Sequence, residues 1–579
     1  MKISMVVQIL QLLLLRSLLL AGNEIDASIY DYSASIECLD KAQKPQYGGG
    51  LILNPEFSDG LQGWTVFGNG NIELRTSKQG NQFIVAYNRT KPHDSFSQMV
   101  HLKEGTFYTF SAWVQIKGGN ESMVVAALKT SQDQNMVVGA VAAQYGCWSM
   151  LKGGLAVNFS GPTELFFQSR KTVIEIWADN ISLQPFSKDQ WQKQQSESIE
   201  KIRKRKVRFH VSDKEGKMIH SATVSMESLR PQFPLGCGTS EAILGNKAYQ
   251  DWFTSRFTAT TFDNEMKWYS TEINFGKENY SIPDAMLDFF KEHRISVRGH
   301  NIFWDDPRFQ PDWLKSLPPE ELKVAALNRL NSVVSRYSGQ LIAWDVMNEN
   351  LHFSYFEDKL GPNASAYFFQ RVQQLDPKTA LFMNEYNTLE HAKDLNSTPA
   401  MYLQKLRQIK SFPGNKGLLE AIGLESHFDE PDIPYMRACL DTLGATQLPI
   451  WLTELDVIRG PNQARYLEEI MREAYSHPSV QGIIVWAGWK PTGCSRMCLT
   501  DNSFKNLPTG DVVDKLIQEW STNGLQGTTD IDGIYEHSVF LGEYLVRVTN
   551  AKNTTSLKQT LKVTRECSEA LDVWIAIRE

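Results

Sequence analysis

The chain has 579 residues, with 66 acidic against 59 basic side chains and a net charge of -7, a balance that argues against an electrostatic nucleic-acid binder. Its 42% apolar and 22% charged content is that of an ordinary globular protein and excludes a disordered or fibrous chain. At 579 residues it exceeds what one hydrophobic core organises, so several domains are expected.

Lys2, a mostly apolar stretch over 5–20 and the small pair Ala21-Gly22 predict a signal peptide at residues 1–22. Gln8, Gln11 and Arg16 interrupt the stretch and leave a weak signal anchor as the alternative. No later segment approaches the ~18 apolar residues of a membrane span. A secreted protein, free of the membrane after cleavage, is therefore expected. Eight N-x-S/T sequons agree with this, at Asn88, Asn120, Asn158, Asn180, Asn279, Asn363, Asn396 and Asn553. The seven cysteines show no metal-ligand spacing. Cys38 with Cys147 and Cys494 with Cys498 are the expected pairs, and the odd number leaves at least one thiol unpaired within the chain.

Residues 49–187 alternate in the manner of β-strands, as in the run 106–114, with Gly and Asn turns between, and predict a β-sandwich of jelly-roll type. Residues 188–206 are polar and highly charged and predict a solvated linker helix, including the basic run Lys201-Ile-Arg-Lys-Arg-Lys206. Residues 207–232 form a β-extension, with a hairpin expected from 207–216 and 222–226. Residues 524–579 form a second extension, with strands expected at 529–533 and 542–548. The two extensions have a transthyretin-like pattern split by what lies between them; two independent extensions are the alternative.

From 233 to 523, short apolar runs alternate with helical segments. The runs lie at 236–238, 258–262, 295–298, 341–347, 380–383, 421–424, 449–452 and 482–486. Eight such units predict a (β/α)8 barrel, whose site forms at the C-terminal strand ends. Two strings at those ends stand out: Trp344-Asp345-Val346-Met347-Asn348-Glu349 and Leu452-Thr453-Glu454-Leu455-Asp456. A carboxylate closing a buried strand is costly unless it has chemical work. Two of them, on strands four and seven, supply what glycosidic bond cleavage needs: a proton donor and a nucleophile or base.

Six strings in this region resemble glycoside hydrolase family 10: Asp263-Asn-Glu-Met-Lys-Trp268, Arg298-Gly-His300, Trp344 to Glu349, Asn384-Glu-Tyr-Asn387, Ser426-His427 and Thr453-Glu-Leu-Asp456. The wording at 299–307 and 494–510 is similar to plant members. The resemblance implies a retaining endo-1,4-β-xylanase, with Glu349 as general acid/base and Glu454 as nucleophile, their carboxyl groups ~5–5.5 Å apart. It implies that Asn348 meets the sugar 2-OH and that His427 and Asp456 orient Glu454. Asn264, Lys267, His300, Trp304 and Trp486 match glycone-side sugar-binding positions, and Tyr386 is the aglycone-side candidate. No cofactor or metal is expected.

Some positions depart from the family pattern. Asp263 stands where Glu is usual, Asp305 where a His often follows the Trp, and Glu425 where Gln is usual. Glu425, counted with the substrate-binding set, puts a further acid beside the nucleophile and is expected to disturb its neighbours' protonation. The second aromatic of the strand-eight loop has Trp489 as its candidate. Residues 49–187 resemble carbohydrate-binding module family 22 through Asn54-Pro-Glu-Phe57, Gly63-Trp64, the run 106–114, Gly146-Cys-Trp148 and Asp179-Asn-Ile-Ser-Leu183. An aromatic expected after Arg89 is absent, and Gln168 stands where an acid is frequent. The implied partner is xylan or a related β-1,4-linked wall polysaccharide. The alternatives are a xylan transglycosylase, another β-1,4-glycanase, and a non-catalytic wall-binding protein.

Overall fold

The computed structural model describes residues 29–550, 556–565 and 570–577. The expected signal peptide, the Asn553 sequon and Cys567 lie outside the described residues. Eight strands close a parallel barrel: β1 (Leu235–Thr239), β2 (Ala259–Phe262), β3 (Ser296–Gly299), β4 (Ala343–Asn348), β5 (Ala380–Glu385), β6 (Glu420–Leu424), β7 (Ile450–Val457) and β8 (Val480–Val485). Closure comes from β1 pairing with both β2 and β8, and from β3 pairing with β4. The strands read as short apolar runs without alternation because helices cover their outer face while the barrel interior fills the other. Inside, Ala259, Ala343 and Ala421 make room for Phe382 and Trp451, with the buried Arg298 guanidinium 4.8 Å from the Phe382 ring centroid.

Ahead of the barrel, two five-stranded antiparallel sheets enclose a separate core. On the outer face of one sheet, Phe83, Trp113 and Trp148 are buried rather than open to solvent, with Leu39 packed against them. The segment carrying Leu39 is tied down by the Cys38–Cys147 disulfide and by a backbone bridge from Leu39 to Trp148. Cys494–Cys498 also forms, and Cys237 and Cys439 are buried free thiols.

The pieces flanking the barrel join into one unit. Strands Ile534–Phe540, Lys204–Asp213 and Leu571–Ile577 form a three-stranded sheet. Leu525–Thr528, Thr223–Pro231, Gly542–Thr549 and Ser556–Val563 form a four-stranded one. Val207, Phe209 and Val224 from before the barrel share a core with Val546, Val548 and Ile575 from after it. Each contributes about 1.5–3 kcal/mol by burial.

Three expectations are corrected here. The hairpin over 207–226 does not form: its two strands face each other from opposite sheets, because both present their alternate apolar residues to the shared core. Residues 529–533 are a turn, in which the Asp530 carboxylate accepts from the backbone N–H groups of Asp532 and Ile534. The helix expected over 188–206 is Lys188–Arg203 and is not solvated on all sides. Ser187 and Gln190 start it with a reciprocal capping box. Its Trp191 indole and Gln195 amide both donate at 2.8 Å to the buried Glu473 carboxylate of the barrel. Arg203, within the basic run, donates to the carbonyls of Tyr475, His477 and Val480, which end a barrel helix and begin the next strand.

The sandwich is fixed to the barrel by charge and by shape. Lys152 Nζ lies 2.6 Å from Asp441 Oδ2, both side chains essentially without solvent contact. Tyr30 donates to the same carboxylate at 2.6 Å, and His477 Nε2 lies 3.0 Å from its other oxygen. At Gly154 a Cβ would stand 2.6 Å from the Pro434 carbonyl, so only glycine permits this approach. Six of the sequon asparagines are exposed, whereas Asn180 is 6% exposed and donates to Gln43 O. Among the described residues no helix is long and apolar enough to cross a membrane.

Replacing Lys152 with Ala leaves the Asp441 charge buried without its cation. The expected cost is about 3–5 kcal/mol, read as a lower urea midpoint than wild type; an unchanged midpoint would show that this ion pair does not hold the module.

Candidate active site

The C-terminal ends of the barrel strands bring the expected residues to one cleft. Glu349 follows β4 directly, with its backbone in the left-handed region at φ 59°. A side chain there costs about 1–3 kcal/mol unless the surroundings hold it. Its N–H donates to Asn384 O at 2.8 Å, and its carbonyl accepts from Phe353 N at 3.0 Å. Glu454 lies within β7, where pairing to β8 slips register between Leu452 and Leu455, a bulge that re-aims the side chain.

Asn384, on β5, joins the two halves of the site. Its Nδ2 donates to Asn348 Oδ1 at 2.9 Å and to Glu454 Oε1 at 3.0 Å, with Glu425 Oε1 further off at 3.3 Å. Thr453 Oγ1 donates to its Oδ1 at 2.5 Å, which fixes the amide's orientation. A Cβ at Gly423 would strike that same oxygen at 2.5 Å, so β6 needs glycine beside it.

A buried chain leads to the nucleophile candidate. Arg298 Nη2 donates to Asp345 Oδ1 at 2.6 Å, and Asp345 Oδ2 accepts from His300 Nδ1 at 2.9 Å. His300 Nε2 then faces Glu454 Oε1 at 3.8 Å. From the other side, His427 Nε2 lies 3.7 Å from Glu454 Oε2, while its Nδ1 is 3.1 Å from Asp456 Oδ1. Arg496 Nε donates to that Asp456 oxygen at 2.7 Å.

These partners push the two glutamates in opposite directions. Burial raises the Glu454 carboxyl, but His300, His427 and Lys267 outweigh it and hold the group down at about 2. Burial and the charges of Glu385 and Glu454 drive Glu349 up to about 7, against an opposing contact from Trp304. Burial, with Glu454 and Glu349 nearby, pushes Glu425 well above the carboxylate range. A carboxyl group here is close in shape to the amide usual at this position. Burial alone would discharge His427, but Asp456, Glu425 and Glu454 raise it well above the usual imidazole range.

Lys267 is 5% exposed, with its ammonium 4.5 Å from the Trp304 ring centroid. Burial lowers its pKa. Exposed Asn264 lies beside it, accepting from Tyr269 OH at 2.7 Å. Trp304 stacks on Phe309 at 4.0 Å, and Trp486 meets His300 edge-on at 5.8 Å. Tyr386 is half-buried and stacks on His352 at 3.9 Å with an interplanar angle of 12°.

Asp263, 8% exposed, pairs with Lys490 at 2.5 Å across the β2 and β8 ends. Asp305 is buried and accepts from Asn350 Nδ2 and Phe356 N, bracing the loop after Glu349. Trp489 is no sugar platform: it is 7% exposed, packs on Tyr249 and Phe504, and donates to Asn502. A core position between aromatics outcompeted the cleft for this side chain.

Several participants carried no clear signal in sequence. Asn384, Asp345 and Arg298 sit inside the quoted strings but had been given no role. His352 lay outside them. Its Nδ1 meets Glu385 Oε1 at 2.6 Å and its Nε2 meets Asp394 Oδ2 at 2.9 Å. Burial opposes its charge, but the two carboxylates raise it to about 9. Glu425, His427 and Glu454 also place three potential metal donors within 4.8 Å of one another.

A family model described as glycosyl hydrolase family 10 matches residues 226–497, and one described as a carbohydrate binding domain matches residues 49–168. The chain is 41% identical over 584 residues to endo-1,4-beta-xylanase 4 of Arabidopsis thaliana, covering 98% of each. It is 40% identical over 565 residues to endo-1,4-beta-xylanase 5-like of the same plant, covering 95% of each. Among solved structures it is similar to the two-module N-terminal endo-1,4-beta-D-xylanase 10B of Clostridium thermocellum with xylohexaose. That match has TM-score 0.42 at 16% identity and covers 80% of this chain and 96% of that one. The family models and the two plant relatives show that the chain belongs to glycosyl hydrolase family 10 and carries a carbohydrate-binding domain ahead of the barrel.

Proposed function

We propose that the protein is a secreted endo-1,4-β-xylanase that cleaves wall xylan with retention of anomeric configuration. The observation that carries this reading is a pair of buried carboxylates in one cleft with unlike neighbours: Glu454 faces His300, His427 and the Asn384 amide, whereas Glu349 has Glu385 and Glu454 beside it. The plant relatives, named as endo-1,4-beta-xylanases, support the substrate class. In the first step the Glu454 carboxylate attacks the anomeric carbon while Glu349 gives its proton to the departing glycosidic oxygen. In the second, Glu349 takes a proton from water, which displaces Glu454 from the glycosyl ester. Asn348, held by Asn384, is placed to bond the sugar 2-OH, a contact that strengthens in the transition state. The carbohydrate-binding domain would add affinity for the same polymer.

Glu454→Ala is expected to lower kcat on xylan by roughly 10^4-fold or more. Glu349→Ala should cost about 10^2–10^4-fold on xylan, but far less on aryl xylosides whose leaving group needs no proton. Product analysis on xylan, glucan and mannan, with proton NMR of the first-formed anomer, tests the whole reading. Cleavage of none of them, inversion, or an active Glu454→Ala protein would defeat it. Products longer than the substrate would instead indicate transfer to sugar.

The pH profile follows from the same unlike neighbours. Glu349 must enter protonated, so kcat/KM falls as pH rises through about 7; Glu454 must enter ionised, so it falls only as pH drops toward about 2. Glu385→Gln removes a negative charge beside Glu349, and the basic limb should move to lower pH; a limb that stays in place contradicts this electrostatic assignment.

His352→Asn removes the ring beneath Tyr386. Stacked pairs are worth about 0.5–1.5 kcal/mol, so KM should rise up to roughly tenfold for oligosaccharides long enough to reach Tyr386. Short aryl xylosides should be unaffected, and an equal loss on both would rule out a platform role.

A further inference from the structure

Glu425 and His427 stand at the end of β6 and Glu454 stands on β7. His427 Nε2 lies 3.5 Å from Glu425 Oε2 and 3.7 Å from Glu454 Oε2. The three donor atoms lie within 4.8 Å of one another. These separations are long for hydrogen bonds. The two from His427 are close to the edge of about 3.3 Å in a tetrahedron whose arms are 2.0–2.1 Å, the arm length of zinc with imidazole and carboxylate ligands. A small inward movement of two side chains would close the set.

A carboxylate also stands behind the imidazole. A metal-binding imidazole characteristically offers one nitrogen to the ion and the other to a carboxylate. Asp456 Oδ1 stands 3.1 Å from His427 Nδ1 without completing a hydrogen bond, and Nε2 faces both glutamates. Asp456 is itself fixed by Arg496. Glu425 and Glu454 are 3% and 7% exposed, and a divalent cation that displaces the Glu425 proton would balance both carboxylates.

We propose that Glu425, His427 and Glu454 form a binding site for a divalent transition-metal ion of the zinc class, and that its occupancy reversibly blocks hydrolysis. Imidazole with carboxylates favours zinc, cobalt or copper over the all-oxygen coordination of magnesium and calcium. The bound ion takes an oxygen of Glu454, which then has no free electron pair for the anomeric carbon. Inhibition rests on the hydrolytic reading above, whereas metal binding does not, and the test reads the two separately.

The full chain, freed of metal by chelator, is titrated with Zn2+ by calorimetry and with Co2+ by visible absorption. Xylan hydrolysis is measured beside these, each variant against its own metal-free rate. Glu425→Gln keeps the side-chain shape and removes one anionic donor. His210→Gln tests a second histidine–carboxylate pair, His210 with Asp572, on the accessory sandwich. Wild type and His210→Gln should bind one zinc alike and lose activity with it, recovering when chelator is added. Cobalt should show the intense bands of a four- or five-coordinate ion. Glu425→Gln should bind zinc at least tenfold more weakly and resist inhibition by the same factor. Equal zinc binding in wild type and Glu425→Gln, or zinc binding without inhibition of an active wild type, would overturn the proposal. A wild type that cleaves no glycan counts against the hydrolytic reading, and the calorimetric comparison still decides the metal site.

Discussion

Two carboxylates cannot both stay ionised in one dry cleft unless something other than water supports the charge. Here the support is unequal, and the rest of the barrel end is arranged around that inequality. Glu454 faces His300 and His427 and receives the Asn384 amide, with Lys267 adding positive potential. Glu349 has no such set; it has Glu385 and Glu454 as negative neighbours. The difference originates below the cleft, where Arg298 holds Asp345 and Asp345 holds His300. Arg298 is fully buried in the barrel, and Phe382 and Trp451 face its guanidinium. The chain of charges that reaches Glu454 is thus anchored in the buried interior of the barrel.

The same rule holds the modules together. Asp441 and Glu473 are buried carboxylates of the barrel, and each collects partners from outside it: Tyr30 and Lys152 for the first, Trp191 and Gln195 for the second. Arg437 adds a bidentate ion pair to Glu473 from within the barrel. Breaking a buried pair costs more than making it gains, so such contacts specify one arrangement more than they add stability. The N-terminal segment, the sandwich and the first helix are thereby set at fixed places on the barrel's outer helices.

Much of this was legible in sequence because the barrel's constraints are local. Each strand is a short apolar run, and two of the strings at the strand ends carry a glutamate, so Glu349 and Glu454 could be assigned to strands four and seven. What escaped depended on long-range contacts. Strands 204–213 and 223–231 look like a hairpin from their alternation, yet a core supplied by residues after the barrel parts them into two sheets. The basic run 201–206 looks solvated, yet the carbonyls that receive Arg203 lie some 270 residues away. Trp489 matched an expected aromatic by position only; no pattern reveals that Tyr249 and Phe504 enclose it. His352 was missed because a histidine outside a motif carries no sign of the two carboxylates that grip it.

Glu425 shows how a departure from family pattern can leave the shape of a site while changing its character. A carboxyl group fills the space of an amide, and burial beside Glu454 and Glu349 pushes its pKa up. An amide stays neutral, whereas an acid can give up a proton to a cation. That leaves two carboxyl groups with the imidazole where an amide would have left one. Asp305 makes the contrasting case. It too departs from the expected residue, but its oxygens are occupied by Asn350 and Phe356 in the wall of the loop. The first substitution changes the chemistry open to the cleft, and the second changes only how the loop that bears Glu349 is braced.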